Sequence, residues 1–585
     1  MSPSKGPTTL VIGIDFGTTY SGVSWLICKP GSPAGQPEVV TLWETSHDIR
    51  RNNSDRSKVP SKMYYDDNGE LWWGFKIPAG AKAVEWFKLL LLNDADLQEH
   101  MKDSSHLHDA RQSIRKLGKT PIQLIGEYLK VLWDHVLEQI SRAKGKDLID
   151  GMPFHVVLTV PAIWTDYARD RMREAAGLAG FFKHRDAGKT TLSFVSEPEA
   201  AAIATMPELE GRADLKIGDS FVVVDAGGGT VDIISYKINT VQPLSVSECV
   251  EGEGALCGGT FLDKEFEAFL RNAVGEVSWN KMNESDIRRM MNNEWEHGIK
   301  EAFSGEPDYF TIELPSRAQI AQLRFSSKNI QPIFDKIVSQ TGALLEKQIT
   351  AVKAKTLRLP KLVILVGGFG RSPYMFKYLK GKVDHRVTIL QSRLEKPWTA
   401  ICRGAALFGA ESCSDTSQGQ QPLVRSRIAR FNYGWAYETL FVDKVHDPRD
   451  KFWCPMRQIW QAANQMEWVV KRGEDVLLKE AKTYDYFRYW SINEQGWGEF
   501  AKNVYACADL NPPSRMEGNV RKVAQFTIHT DQPKERHKKV RNSNGTYYRQ
   551  WDYSYKVMVS GASLEVTLVS DGREQKLEKI PIDVN

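Results

Sequence analysis

Two stretches of this sequence share one design: VIGIDFGTTYSG at residues 11–22 and VVVDAGGGTVDI at residues 222–233. Each is an apolar, strand-like run that ends in aspartate, turns through glycine and threonine, and continues as a second β-prone run. Glycine lets backbone N–H groups converge on an anion without a Cβ in the way, and threonine hydroxyls add donors. An aspartate at the strand end can hold the hydrated Mg²⁺ of a polyphosphate, because Mg²⁺ prefers oxygen ligands and keeps much of its water.

A single copy of this pattern also fits an ordinary tight hairpin between two strands. Two copies, whose aspartates Asp15 and Asp225 stand about 210 residues apart, favour one phosphate site built from paired hairpins. The sequence lacks the GxxxxGK[ST] loop with which one segment cradles phosphates. The paired hairpins are therefore the central prediction of the sequence.

A third glycine turn follows the apolar run Leu362–Val366 and reads GGFGRSP at residues 367–373. Its glycines would let the chain pass close beside a flat base and ribose. Strand–Gly–Gly turns also occur widely without any ligand. The order of this turn, after the two hairpins, favours a nucleotide contact.

The strand-like runs at residues 10–15, 155–160, 221–225 and 362–366 alternate with helical patterns, which predicts an α/β fold. Helices are predicted over Thr120–Lys144, with Pro121 at the first helical position, and near Gln319–Lys355. The polar stretch Glu411–Gln421 interrupts this alternation of strand-like and helical patterns. We predict an α/β part over residues 1–412, a linker over 413–425 and a smaller, mostly β domain over 426–585.

The composition excludes several classes of protein. At 585 residues the chain is too long for one hydrophobic core, which predicts two or more domains. The 77 basic and 73 acidic residues give a net charge of only +4, which does not predict a nucleic-acid or membrane-surface partner. No apolar run is long enough to span a bilayer. Seven scattered cysteines without a CxxC pair, and no secretory signal, predict a reducing compartment, cytoplasmic or nuclear.

Five motifs in order resemble those of the seventy-kilodalton heat-shock chaperone family, and more closely a divergent branch of it, over about residues 10–412. They are IDFGTTYSG (14–22), VVLTVPAIWTDYARDRMREAAGLAG (156–180), SEPEAAAIA (196–204), DAGGGTVDI (225–233) and VILVGGFGRSP (363–373). The resemblance implies a two-lobed actin-like ATPase with ribonuclease H-like subdomains, bound ATP or ADP with Mg²⁺, and unfolded or peptide clients with co-chaperones. It leaves the oligomeric state open.

The resemblance also implies roles for individual residues. Catalysis would fall to Lys88, Glu197, Asp225 and Asp232, with Asp15 and Asp225 holding Mg²⁺ mostly through water. The hairpin contacts to the nucleotide would come from Gly17, Thr18, Thr19, Tyr20, Gly227, Gly228, Gly229 and Thr230. The remaining nucleotide contacts would come from Gly258, Lys300, Ser304, Gly367, Gly368, Phe369, Arg371 and Ser372. Pro161 and Arg169 match the pair that relays the nucleotide state toward the substrate domain.

The sequence departs from the family pattern at three places. Trp398 stands where the family has an acidic residue, the linker lacks an apolar docking segment, and the chain as given shows no helical lid after the β-rich part. Two other functions therefore stay open beside ATP hydrolysis. One is a small-molecule kinase of the same superfamily, and the other is a nucleotide-binding scaffold with little hydrolysis.

Overall fold

We analysed a computed structural model of the protein. It describes residues 7–30, 32, 35–45, 56–78, 80–97, 105–162, 164, 166–392, 395–411, 422–478, 480–492, 498–529, 533–560 and 563–581. By its contacts the chain divides into two compact units, residues 1–423 and 424–585. Among the described residues, every helix is too short or too polar to cross a bilayer.

The first sheet of the N-terminal unit contains the first hairpin. Its strands are β1 (Thr9–Phe16), β2 (Tyr20–Cys28), β3 (Glu38–Val39), β4 (Val59–Pro60), β7 (Phe154–Val160) and β8 (Thr191–Ser196). The order is β3-β2-β1-β7-β8, with β4 paired to the start of β2. β1 runs antiparallel to β2 and parallel to β7, which is in turn parallel to β8. A separate small hairpin joins β5 (Met63–Tyr65) and β6 (Leu71–Trp73).

The second sheet repeats this plan around the second hairpin. Its strands in this unit are β9 (Ser220–Ala226), β10 (Val231–Val241), β11 (Leu244–Ala255), β14 (Leu362–Val366) and β15 (Thr388–Gln391). The order is β15-β14-β9-β10-β11, with the hairpin strands antiparallel and β9, β14 and β15 parallel. β12 (Tyr309–Glu313) and β13 (Gln322–Ser326) form a separate hairpin. Two sheets with one hairpin-plus-parallel-strand topology confirm the two-lobed, ribonuclease H-like prediction.

The helices of this unit cover the two sheets. They span Ser105–Leu117, Pro121–Lys144, Lys146–Asp150, Asp166–Leu178, Glu197–Leu209, Thr260–Val274, Glu276–Trp279, Glu284–Met290, Lys300–Ala302, Ser327–Thr356, Pro373–Lys382 and Lys396–Glu411, with a π-helical segment at Met291–Ile299. On β1, Leu10, Ile12 and Ile14 join one core while Val11 packs on the other face against Ala406. This alternation follows the two-residue period of a strand.

Two helix predictions can be compared with the structure. The helix at Pro121–Lys144 is confirmed, and Thr120 caps it by accepting a hydrogen bond from the Gln123 backbone N–H. The prediction near Gln319–Lys355 is wrong at its start, because Gln322–Ser326 forms a strand and the helix begins at Ser327. The five-residue run QLRFS has the alternating pattern of a strand, and this pattern is missed when a much longer stretch is tested for helical periodicity.

One close crossing positions the two lobes. A Cβ on Gly404, in the helix Lys396–Glu411, would lie 1.7 Å from the carbonyl oxygen of Ala200, in the helix Glu197–Leu209. Only glycine allows the two backbones to approach this closely. The crossing fixes Glu197, at the start of its helix, between the sheets that carry the two hairpins.

The C-terminal unit is built from strands, as predicted. They are β16 (Val424–Ile428), β17 (Asn432–Leu440), β18 (Lys451–Cys454), β19 (Ile459–Val470), β20 (Asp475–Leu477), β21 (Ala481–Ser491), β22 (Glu499–Cys507), β23 (Arg521–His529), β24 (Lys538–Arg541), β25 (Tyr547–Ser560), β26 (Ser563–Ser570) and β27 (Arg573–Pro581). One sheet has the order β18-β19-β17-β22-β23 and another β21-β25-β26-β27, with β24 on β25. Tyr433, Trp435, Trp551 and Tyr555 lie in the shared core.

Most of the predicted linker, residues 413–421, lies outside the described residues. Its last two residues, Val424 and Arg425, begin strand β16, so the linker prediction is wrong for them. Val424 is buried, and so are Ser426, Arg427 and Ile428, so the segment belongs to a packed strand.

Candidate functional site

The turns of the two hairpins meet face to face. A Cβ on Gly228 would lie 2.1 Å from Thr19 Oγ1, and a Cβ on Gly229 would lie 3.3 Å from Thr18 Oγ1. The glycines of the second turn therefore make room for the threonines of the first. The carboxylates of Asp15 and Asp225, one from each hairpin, line the same cavity.

This cavity has a volume of about 320 Å³. Most of the predicted nucleotide-site residues line it. They are Asp15, Gly17, Thr18, Thr19, Tyr20, Glu197, Asp225, Gly227, Gly228, Gly229, Thr230, Lys300, Gly367, Gly368, Phe369, Arg371 and Ser372. Residues more than 350 positions apart in sequence thus converge on one cleft.

Lys88 does not line the cavity. It lies in the short 3₁₀ helix Phe87–Leu91, buried, and its Nζ donates to Glu197 Oε1 at 2.5 Å. Aromatic rings of Phe16 and Trp164 flank the ammonium at 5.7 and 5.4 Å. The predicted lysine is therefore an ion-pair partner of a cavity residue in this structure, and burial of its amphipathic stem among rings holds it there.

Lys300 reaches the cavity, but two carboxylates hold its ammonium. Nζ lies 2.8 Å from Asp263 Oδ1 and 2.7 Å from Glu296 Oε2. Burial opposes the charged form, yet attraction to both carboxylates raises the pKa of Lys300 above its usual value. Lys300 is therefore a fixed cation on the cavity wall.

Gly258 and Ser304 do not line the cavity. Gly258 packs beneath the second turn, where a Cβ would lie 2.4 Å from the Gly228 carbonyl oxygen, and its neighbours Gly259 and Thr260 line the cavity instead. Thr260 Oγ1 donates to that same carbonyl at 2.8 Å. Ser304 Oγ accepts a hydrogen bond from the Glu306 N–H in a turn after the helix ends. The structure does not bring either residue to the cavity wall, and their nucleotide contacts stay predictions.

Asp232 stands directly opposite Asp225 in the β9–β10 register and lies behind the cavity rather than on its wall. Both aspartates are buried, and Asp225 Oδ1 and Asp232 Oδ2 have no hydrogen-bond partner. Burial, with repulsion from Glu197, raises the pKa of Asp232 to about 7. Burial and the neighbouring carboxylates raise the pKa of Asp225 well above its usual value.

Pro161 and Arg169 both belong to the motif at residues 156–180. Pro161 follows strand β7 and its carbonyl accepts a hydrogen bond from the Trp164 N–H at 3.1 Å. Arg169 is buried in the helix Asp166–Leu178. Their predicted relay role stays a prediction.

The third glycine turn closes one side of the cavity. Gly367 has φ +85°, and a Cβ there would lie 2.3 Å from the Ala226 carbonyl oxygen, so the turn packs directly on the second hairpin. Arg371 lies over the indole of Trp398 at 5.6 Å, and the Tyr20 ring meets the edge of that indole at 5.5 Å. Trp398, which departs from the family pattern, is thus part of the cavity wall.

Sequence reasoning missed several cavity residues, of which Lys58 is the most notable. Arg56, Glu296, His297, Glu301 and Ile401 also line the cavity. Lys58 Nζ lies 2.5 Å from Asp15 Oδ2, and both side chains are buried. Lys58 lies in no recognisable motif. The pairing of β4 with β2 brings it to the site, so its position could not be predicted from the local sequence.

The residues present fit a hydrated Mg²⁺. Asp225 lines the cavity and keeps a buried carboxylate oxygen without a hydrogen-bond partner, which is the hard oxygen donor that Mg²⁺ prefers. Among the described residues, no three carboxylate, histidine or cysteine side chains converge into a ready-made metal site. A Mg²⁺ that arrives with a nucleotide and keeps its water would match this arrangement.

Two sheets of repeated topology around paired glycine turns define the class of actin-like nucleotide-binding proteins. A family model described as Hsp70 protein matches residues 131–417, a range that holds the second hairpin and the third turn. This match confirms the predicted resemblance to the seventy-kilodalton heat-shock family. The first hairpin lies outside the matched range, and its contacts with Gly228 and Gly229 tie it to the second.

Similar proteins include Heat shock 70 kDa protein 12B of Homo sapiens, 23% identical over 631 aligned positions that cover 90% of this chain and 84% of that protein. Heat shock 70 kDa protein 12A of Mus musculus is 22% identical and covers 75% of this chain and 74% of its own length. Chaperone protein DnaK of Thermoplasma volcanium is 27% identical over 47% of this chain and 42% of its length. The family-level function is that of an ATP-binding, chaperone-like ATPase.

Proposed function

We propose that this protein binds Mg·ATP between its two hairpins and hydrolyses it slowly, with the nucleotide state controlling closure of the two lobes. The observation that carries the proposal is the contact of Thr18 and Thr19 with Gly228 and Gly229, with Asp15 and Asp225 in the same cavity. That contact makes one phosphate site out of two distant motifs.

Backbone N–H groups of the two turns would hold the β- and γ-phosphates, with the hydroxyls of Thr18, Thr19 and Thr230 as added donors. Mg²⁺, when bound, would neutralise charge on the transferring phosphoryl group. Asp225 and Glu197, which line the cavity, would orient the attacking water in line with the γ-phosphorus. Because burial and neighbouring carboxylates raise its pKa, the charged form of Asp225 is stabilised strongly when a cation binds beside it.

The slow rate is part of the proposal. Lys88 is paired with Glu197, so it cannot move to the γ-phosphate without leaving a buried carboxylate behind, and Lys300 is held by Asp263 and Glu296. The same observation favours a second candidate, a nucleotide-binding scaffold with little hydrolysis. The two candidates differ in turnover and share the binding site.

The test uses one preparation of the full chain. Calorimetry with ATP, ADP and GTP measures binding, and phosphate detection on the same sample measures turnover. Binding of adenine nucleotides with slow phosphate release supports the ATPase, and binding without release supports the scaffold. Phosphoryl transfer to glycerol or a sugar offered in the same assay would instead identify a kinase. A chain that binds no adenine nucleotide would contradict the proposal.

Client binding is proposed for the unit at residues 424–585, whose β-rich architecture supports it. Pro161 and Arg169 would then relay the nucleotide state. Fluorescence anisotropy of an unfolded model peptide, with ATP and with ADP, tests this step. A nucleotide-dependent affinity is expected, and equal affinities would remove the relay from the proposal.

A further inference from the structure

Lys58 is a buried cation in the wall of the cavity between the two hairpins. Its side chain is 6% exposed, that of Asp15 is 3% exposed, and 2.5 Å separates Lys58 Nζ from Asp15 Oδ2. The ammonium is therefore charged and fixed beside the first hairpin.

The fold holds this lysine by the backbone of the first turn. Strand β4 pairs with Tyr20 and Ser21 of β2, and the Ser61 N–H donates to the Thr19 carbonyl at 2.8 Å. Ser61 Oγ donates to the Gly17 carbonyl, also at 2.8 Å. The segment that carries Lys58 is thus tied to the same turn that lines the cavity.

Gly22 supplies the space that the lysine stem occupies. A Cβ at Gly22 would lie 3.0 Å from Lys58 Cγ and 3.1 Å from Cε. Contacts this short would push the stem away from β2 and move the ammonium from Asp15. The first hairpin is therefore shaped to receive Lys58.

The two sides of the cavity differ in charge. Asp15 is paired with Lys58 and Glu197 with Lys88, whereas Asp225 and Asp232 each keep a buried oxygen without a partner. A cation that enters with the nucleotide gains most beside uncompensated carboxylates, because Coulomb attraction is strong where water is excluded. The uncompensated carboxylates belong to the second hairpin.

We propose that Lys58 is a built-in cation that takes the place of a metal at Asp15, so that Asp225, and not Asp15, recruits Mg²⁺ to the nucleotide. This inference rests on the proposed nucleotide site and refines it. It makes Lys58 a positioning residue that neutralises the first hairpin permanently. Part of the nucleotide affinity should then persist when divalent cations are removed.

The test is the ratio of ADP affinities in Mg²⁺ and in EDTA, measured by calorimetry on the full chain. We expect a ratio of about 10 for the wild type, where each tenfold corresponds to ~1.4 kcal/mol. Lys58→Met should raise the ratio to about 100 or more, because Asp15 then repels the phosphates unless a metal is present. Lys58→Arg should keep the wild-type ratio. Lys62→Met is the matched control, since Lys62 is a half-exposed neighbour paired with Glu85.

A double variant keeps the test decisive if Lys58→Met does not fold. Asp15→Asn with Lys58→Met removes both charges together, and neutral replacement of a buried pair is commonly tolerated. It should keep the wild-type ratio, while Asp225→Asn should lower it to about 1. A double variant that loses its Mg²⁺ dependence as Asp225→Asn does would overturn the inference. A wild type that binds no ADP in Mg²⁺ would instead contradict the proposed function.

Discussion

Asp15 and Asp225 occupy equivalent places, each near the end of the first strand of a hairpin, yet their surroundings are opposite. Asp15 is neutralised by Lys58, whereas Asp225 faces Asp232 across the strand pair and keeps Oδ1 without a partner. The difference does not come from the local motif, since Lys58 is 43 residues from Asp15. The hairpins provide similar backbones, and residues brought in by the tertiary fold decide which carboxylate responds to a metal.

The largest expected effect comes from removing the unneutralised carboxylate. Asp225→Ala should lower phosphate release by ~100-fold or more, because it removes a group that orients the nucleophile and recruits the cation. ATP affinity should fall much less, since the turn N–H groups and threonines remain. Single-turnover phosphate detection and calorimetry measure the two quantities separately. Unchanged phosphate release by a purified, folded Asp225→Ala protein would contradict the role of the second hairpin.

The next effect concerns Glu197, the other carboxylate that a buried lysine neutralises. Lys88→Met should reduce the free energy of unfolding by ~3–5 kcal/mol, because it leaves Glu197 buried without its partner. Adding Glu197→Gln should recover much of that loss. Urea denaturation measures both variants. Lys336→Met is the matched control, because its pair with Glu265 is exposed and should change stability by ~0.5 kcal/mol or less. Equal losses in Lys88→Met and the control would contradict the buried pair.

Much of this site could be predicted from its motifs, and the exceptions have a common cause. Gly228, Gly229 and Thr230 were predictable because a phosphate-binding turn needs small residues and donors in consecutive positions. Lys58 was not, because its position depends on strand pairing between segments without a motif. The family resemblance implied a catalytic role for Lys88, but a lysine pattern cannot show which carboxylate will hold the ammonium.

The fold shows the same division. Two hairpins and the strands at 155–160 and 362–366 were visible as apolar runs, and they became the repeated sheets. The strand Gln322–Ser326 was absorbed into a predicted helix, because pairing with Tyr309–Glu313 decides its conformation and that partner is not adjacent. No sequence signal distinguishes Gly404 from other helical glycines, because its close approach to Ala200 depends on how the two helices cross.

A smaller effect should follow from closing the contact between the hairpins. Gly228→Ala places a Cβ within 2.1 Å of Thr19 Oγ1 and should lower ATP affinity about tenfold, which is ~1.4 kcal/mol. Thr19→Gly in the same chain should relieve the clash and recover part of the affinity. Gly381→Ala is the control, because a Cβ there meets no atom within 4 Å. Calorimetry measures all three, and a Gly228→Ala protein with wild-type affinity would show that the turns can separate freely.

The smallest effect is on stability and depends on pH. Because burial raises the pKa of Asp232 to about 7, the folded protein retains this proton at pH values where the unfolded chain, near pKa 3.8, has lost it. The stabilisation from the protonated form is complete below pH 3.8 and is lost as pH rises through 7. Asp232→Asn should therefore raise the free energy of unfolding of the nucleotide-free protein by ~1–3 kcal/mol at pH 8 and flatten its dependence between pH 4 and 7.

Asp15→Asn with Lys58→Met should leave that pH dependence in place, since the first hairpin is already neutral. Thermal melts across this range would distinguish the pH responses of the two hairpins. Equal pH profiles for wild type and Asp232→Asn would contradict the raised pKa of Asp232.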